Sequence, residues 1–310
     1  MNLTIGFITA RHKPEQGWFL DSLLPQIKDD DRIEVIVCDL HYQGTDRFQH
    51  GKIEMVHTEP KPNPFGGRHR LTKDHWWAKP SQINTVVCMA KYDFLGFTDD
   101  RSVVSSHWLD SIKEAHINSY IVAGAYEKRH NMKVEHGVIV DRGTEDGTDR
   151  RSPFGKDHRE VAASYIPKPC SGNWLFGCTY ALPLEAMLTV NGSDERLDGT
   201  SFEDCILGCN LKNYGYHLAY DPRMKVTQDR TPSECGPAIR RSSKEKHPHD
   251  TTDKCHHALR EFASKKKAEH GYDLRQMRHN IQLGGQWTPV NPEAKDWFDG
   301  MPIKEFDNLP

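Results

Sequence analysis

Phe97-Thr98-Asp99-Asp100-Arg101 places two adjacent carboxylates directly after the apolar run 92–97, where a strand should end. In an open α/β sheet the ligand crevice lies at the carboxyl ends of the strands, so acidic side chains there can meet a bound molecule. Two neighbouring negative charges repel each other, and solvent or a cation has to neutralise them. Asp is also common in turns, so a plain strand-ending turn is the competing reading. A second acidic pair, Glu203-Asp204, stands at capping-box spacing from Ser201 and marks a helix start. A helix N-terminus favours an ionised carboxylate, so capping and proton-accepting chemistry are compatible there.

Other chemistry-bearing residues have strong ordinary readings. Arg68, His69, Arg70, Lys73, His75, Trp76 and Trp77 interleave base and aromatic character, which suits phosphate and stacked rings but also a solvated loop with two anchoring rings. Cys235, His247, His249, Cys255, His256 and His257 are metal-ligand types whose spacing fits no closed zinc pattern. Within this set, His256-His257 is expected to turn one ring toward a ligand cleft as a lid contact. Trp174 offers an apolar face for stacking, or a core anchor.

The elements that must position these residues alternate between strand and helix, the pattern of a mostly parallel sheet covered by helices. Strands are expected at 3–9, 33–38, 52–57, 94–98 and 121–126, with helices at 16–28, 81–91 and 105–117. The loop after the third strand is rich in Pro and Gly, and 141–159 reads as a long surface loop. Pattern returns at 174–182, with a short helix from Pro183-Leu184, another over 202–214, and short strands at 217–220 and 225–227. Beyond Asp229 the composition shifts to Lys, His and Pro, with a helix over 253–270 and a tail holding Trp287 and Trp297. The expected division is residues 1–228 as one α/β domain and 229–310 as an appended lid or acceptor-binding arm.

Composition narrows the class of partner. With 41 basic and 44 acidic side chains the formal net charge is -3, which supplies no global basic field for nucleic acid or anionic membrane. No apolar run has the length of a membrane span, and residues 3–10 lack a preceding basic region, so the reading is a cytoplasmic protein. The eight Cys then read as free thiols.

Several stretches together resemble the GT-A fold glycosyltransferases of the family 2 type, over residues 1–228. Asn84, Ala90 and Phe97-Thr98-Asp99 resemble that family's approach to its Asp-x-Asp motif, and Trp108-Leu109 matches its aromatic-Leu pair. Ser171-Gly172-Asn173-Trp174, the block Val190-Asn191-Gly192-Ser193-Asp194-Glu195-Arg196-Leu197, Phe202-Glu203-Asp204 and Gly215-Tyr216 resemble a galactosyltransferase-type acceptor-side block.

The resemblance implies a Rossmann-like central sheet with a C-terminal helical or irregular extension. It implies a donor nucleotide-sugar, UDP-linked by preference, bound by Thr9, Ala10, Arg11, Asp39, Asn84, Asp99, Asp100 and Arg101. Asp99 and Asp100 would hold Mn²⁺ or Mg²⁺. Asn173, Trp174, Asp194 and Glu195 would meet the acceptor, and Asp204, with Glu203 beside it, would act as base in an inverting transfer. By their residues alone, Asp39 reads equally as a turn Asp, and Asp194-Glu195 as a solvated turn after Asn191-Gly192.

Two departures from the family pattern stand out. Arg101 replaces the last acid of the Asp-x-Asp motif, and Gln228 stands where many relatives carry His. An Arg fork suits phosphate oxygens and could share the diphosphate, whereas shifting the motif by one residue makes Asp100 the metal ligand. A glycan is the ordinary acceptor, and the basic segments 68–79 and 239–246 leave hydroxymethylated bases of viral DNA as a second one. A nucleotidyltransferase shares such a sheet, but Thr9-Ala10-Arg11-His12-Lys13 lacks the glycines of a phosphate loop. The two departures also allow a binding protein without catalysis.

Overall fold

The apolar runs of the first half become strands, and the computed structural model describes residues 1–62, 79–147, 155–160, 167–195, 203–231 and 273–287. In chain order the elements are β1 (Asn2–Thr9), α1 (Gln16–Leu23), β2 (Arg32–Asp39), β3 (Thr45–His50), β4 (Ile53–Thr58), α2 (Lys79–Met89), β5 (Phe94–Asp99), β6 (Ser102–Val104) and α3 (Trp108–Ile117). They continue with β7 (Ile121–His130), β8 (Lys133–Glu135), β9 (Val138–Asp141), β10 (Thr144–Glu145), β11 (Lys168–Pro169), β12 (Thr179–Pro183), α4 (Leu184–Thr189), α5 (Glu203–Asn213), β13 (Leu218–Asp229) and α6 (Leu274–Gln282).

Among the described residues eleven strands share one sheet, its main path running β11-β13-β7-β12-β5-β1-β2-β4-β3, while β8 and β9 pair separately. Strands β5, β1, β2 and β4 are parallel. Strand β12 enters antiparallel between β5 and β7. From β1 the chain passes through α1 to β2 on one side, then crosses back through α2 to β5 on the other. That reversal opens a crevice at the carboxyl ends of β1 and β5, where Ile8 is in register with Asp99 and Thr9 with Asp39.

Strand alternation divides the core between the two sheet faces. Leu3, Ile5 and Phe7 pack with Phe19, Leu23, Trp108 and Ile112 beneath α1 and α3. Ile8, Leu95 and Phe97 pack with Ile83, Val86, Val87, Leu207 and Leu211 beneath α2 and α5. Each such side chain contributes roughly 1.5–3 kcal/mol by leaving water. Helix α2 is buried on nearly every side because α6 covers its outer face with Leu274 and Met277. Arg278 and Gln282 of α6 donate to the carbonyls of Val87, Cys88 and Ala90, groups that a helix end leaves unsatisfied.

The structure moves several expected boundaries. Helix α1 stops at Leu23 and passes into a single 3₁₀ turn, Leu24–Gln26, because Pro25 has no N–H for a continuing helix. Helix α3 begins at Trp108, since the Ser105 hydroxyl is committed to the Arg223 carbonyl of β13. The two short strands expected at 217–220 and 225–227 are one strand, β13, with a bulge between Asp221 and Lys225. Strand β3 was not expected: it is exposed along its length and so lacks an apolar alternation.

The segment 141–159 is not simply a surface loop. Thr144–Glu145 pairs with β7. Arg159 is fully buried, its guanidinium on Asp157 and over the rings of Phe176 and Tyr220. Cys38, Cys88, Cys170 and Cys178 are free thiols. Among the described residues no helix is long and apolar enough to cross a membrane. The helix expected at 253–270, the basic-aromatic cluster 68–77, the segment 239–246, the Cys/His set from 235 to 257, Arg196, Leu197, Ser201, Phe202 and Trp297 lie outside the described residues.

Candidate active site

The crevice at the β1/β5 reversal is an open cleft, with about 480 Å³ of empty space when the adjoining solvent is included, lined by Ile8, Thr9, Ala10, Arg11, Lys79, Gln82, Asp99, Asp100, Cys178, Gln228 and Arg230. Thr9, Ala10, Arg11, Asp99 and Asp100, expected here from sequence, meet at its floor. Gln82, one turn into α2, ties the strand ends together by donating to the carbonyls of Thr9 (2.6 Å) and Cys38 (2.7 Å). Its Oε1 is buried with no hydrogen-bond partner among the described residues. A buried acceptor without a partner is costly.

The two carboxylates of the motif differ in their partners. Asp100 is 5% exposed, its Oδ2 accepting from the Thr9 hydroxyl at 2.8 Å and its Oδ1 lying 2.9 Å from Arg11 Nε. Burial raises the Asp100 pKa, and Arg11 offsets this only in part. Asp99 faces Lys79, whose Nζ donates to Oδ1 at 2.7 Å and to the Gly177 carbonyl at 3.2 Å. The same Nζ is 4.0 Å from Glu203 Oε1. Burial disfavours the charge on Lys79, but Asp99 and then Glu203 outweigh it and hold the ammonium above its ordinary pKa.

The acidic pair at the start of α5 completes the cluster. Burial, and next the charge of Asp204, push the Glu203 carboxyl up to about 8 despite the opposing pull of Lys79. Glu203 is thereby biased toward its neutral form. Asp204 Oδ2 accepts from the Gly177 amide at 2.6 Å and Oδ1 from the Cys205 amide at 2.7 Å. Gly177 thus serves both sides, its N–H to Asp204 and its C=O to Lys79. A Cβ there would stand 2.6 Å from Lys79 Nζ and 3.2 Å from Asp204 Oδ2, so only glycine leaves both contacts undisturbed.

The donor set does not fit a divalent cation held by both motif carboxylates. Three of the four oxygens of Asp99 and Asp100 are already met by Lys79, Arg11 or Thr9. Magnesium demands near-ideal octahedral oxygen geometry, and a cation bridging this pair would also crowd the Lys79 ammonium. Among the described residues no group of three or more His, Cys, Asp and Glu could hold a metal ion.

The remaining expected residues take other positions. Asn84 is fully buried, its amide exchanging hydrogen bonds with the backbone of Ser193 (2.8 Å each) and donating to Glu195 at 2.7 Å. Glu195 also pairs with Lys61 at 2.7 Å, both side chains wholly inaccessible, and Asp194 is buried. These residues brace the turn after α4 and do not line the cleft. The Arg101 guanidinium also lies outside the cleft lining: Nη2 is 2.5 Å from Asp229, and the ring of Trp18 lies beneath. Gln228 lines the cleft and donates to the Asp100 carbonyl at 3.2 Å.

Asp39 accepts from the His41 amide (2.8 Å) and lies 3.2 Å from His57 Nε2, whose ring stacks on Tyr42. Trp174 packs edge-on against Tyr220, while Asn173 is exposed beside it. Sequence reasoning missed Lys79, Gln82, Cys178 and Arg230. Gln82 left a signal as a polar position inside the apolar run of α2, and Lys79 as the end of the basic segment 68–79.

No protein-family model matches the sequence, and no curated protein sequence does. Solved structures do. S. aureus TarS 1–349 in complex with UDP-GlcNAc is similar at a TM-score of 0.51 and 10% identity, over 91% of this chain and 72% of that one. GalNAc-T7 with UDP, GalNAc and Mn²⁺ is similar at 0.50 and 11% identity, over 94% and 59%. In a further TarS 1–349 crystal structure this chain spans 60% of the other's length. Both neighbours are GT-A fold glycosyltransferases, and this chain has the GT-A fold. At these identities the likeness is one of fold.

Proposed function

We propose that the chain transfers a sugar from a nucleotide-sugar, UDP-linked by preference, to an acceptor hydroxyl with inversion, Asp204 serving as base. The observation that carries this reading is the cleft at the β1/β5 reversal, which brings Thr9, Arg11, Asp99 and Asp100 together. Nucleotides bind at such reversals in open α/β sheets. The UDP-GlcNAc in the TarS structure supports the same class of donor. Arg11, Lys79 and Arg230 supply positive charge against a diphosphate, and Asp39 with the His57-Tyr42 stack borders the carboxyl end of β2, where a base ring would lie.

In the transfer, a lone pair of the acceptor oxygen forms a bond to the anomeric carbon while the bond to the diphosphate oxygen breaks. The acceptor proton passes to Asp204, and the leaving pair stays on the diphosphate. Glu203 beside it is biased toward its neutral form, which lessens the negative charge next to that base. The acceptor is proposed to be a glycan, with hydroxymethylated DNA bases as the second candidate. Binding without transfer is the second reading, favoured by the two backbone amides that already occupy the Asp204 oxygens. Incubation with a panel of UDP- and GDP-sugars separates the two: release of sugar or nucleotide supports transfer, and binding without release supports the second reading.

A further inference from the structure

We infer that Lys79 takes the part of a divalent cation in this cleft, so that the donor diphosphate is held and released without metal. The inference rests on the nucleotide-sugar reading and specifies how its leaving group is handled. Lys79 Nζ is surrounded as a small cation would be, by the Asp99 carboxylate at 2.7 Å, the Gly177 carbonyl at 3.2 Å and the Glu203 carboxyl at 4.0 Å. An ammonium carries three donors. Two are engaged by Asp99 and Gly177, and among the described residues the third is left for a ligand in the cleft that Lys79 lines.

The neighbouring carboxylate is committed in the same direction. Asp100 is taken up by Arg11 and Thr9, so the motif that would bridge a metal binds two protein cations instead. A fixed ammonium also needs no ligand exchange. As the bond between the anomeric carbon and the diphosphate oxygen breaks, its electron pair remains on that oxygen, and an N–H of Lys79 hydrogen-bonds to the growing charge. The proton stays on nitrogen. Preorganised charge of this kind stabilises a leaving group without reorganisation.

The test is UDP binding to the full chain by titration calorimetry, in EDTA and in excess Mn²⁺, for wild type, Lys79→Met and Lys79→Arg, with folding followed by thermal melting. Wild type should bind UDP equally in both buffers. Lys79→Met should weaken binding in EDTA by about 30-fold or more, the loss expected when one partner of a buried hydrogen-bonded charge pair is removed. Lys79→Arg should retain part of the affinity. Binding by wild type only in Mn²⁺, a result that needs no variant, overturns the role of Lys79 and leaves the nucleotide-sugar reading standing. Unchanged affinity in folded Lys79→Met does the same. Absence of UDP and GDP binding in both buffers overturns the nucleotide-sugar reading itself.

Discussion

The amide of Gly177 donates to Oδ2 of Asp204 at 2.6 Å, so the turn before β12 is fastened to the first turn of α5. The carbonyl of the same residue accepts from Lys79, which links the first turns of α2 and α5 through one residue. Gly177→Ala would set a methyl 2.6 Å from Lys79 Nζ. That atom is the end of a flexible side chain and can swing away at little cost in stability. The expected outcome is a small change in melting temperature with a large loss of UDP affinity. Loss of both together would instead mean that Gly177 only packs the turn.

Glu203 makes stability depend on pH. Its folded pKa is raised to about 8 by burial and by Asp204, from an ordinary value of 4.5. A raised carboxyl contributes stability that is fully present below the unfolded pKa and is lost as pH rises through the folded one. The difference in unfolding free energy between wild type and Glu203→Gln, measured by denaturant titration from pH 4 to 9, should therefore move against wild type between about 4.5 and about 8. A flat difference would show that Glu203 is not buried as a neutral acid.

Glu195 and Lys61 form a wholly inaccessible ion pair joined to Asn84. Removing one partner of such a pair costs about 3–5 kcal/mol, because the other charge stays buried. Glu195→Ala and Lys61→Met should each lower stability by that order in chemical denaturation. The protein that remains folded should keep its UDP affinity. Selective loss of acceptor use in a fully stable Glu195 variant would return this residue to the acceptor site.

Arg101→Met separates a strut from a phosphate ligand. The guanidinium is buried on Asp229, and the residue adopts a left-handed φ of 50° at the turn after β5. The variant should lose about 3–5 kcal/mol of stability. UDP titration of the folded fraction should show affinity retained, whereas a specific loss would place Arg101 on the diphosphate.

What was legible in the sequence was set by local pattern. Leu3, Ile5, Phe7 and Ile8 stand in one apolar run because β1 is buried on both faces, and Phe19, Leu20 and Leu23 show a helical period because one face of α1 is buried. Asp99 and Asp100 were legible as a strand-end motif for the same reason, since the apolar run stops where the sheet stops. Exposed β3 has no such period. The site was harder because its chemistry lies in distant pairs: Lys79 with Glu203, Asn84 with Glu195, Arg101 with Asp229. Each polar residue looks available until its partner, more than a hundred residues away, is brought against it. Asn84, Glu195 and Arg101 therefore read as ligand contacts, whereas each is buried against a protein partner, and Lys79, read only as the end of the basic segment 68–79, lines the cleft.

The central claim is tested most directly by UDP-sugar turnover with wild type and Asp204→Asn. At least one UDP-sugar should be hydrolysed or transferred by wild type. The variant should keep donor affinity and lose about 10²–10⁴ in rate, the range a positioned general base supplies. Failure of every UDP- and GDP-sugar to bind or turn over would contradict the account, and undiminished turnover in the variant would remove Asp204 as the base.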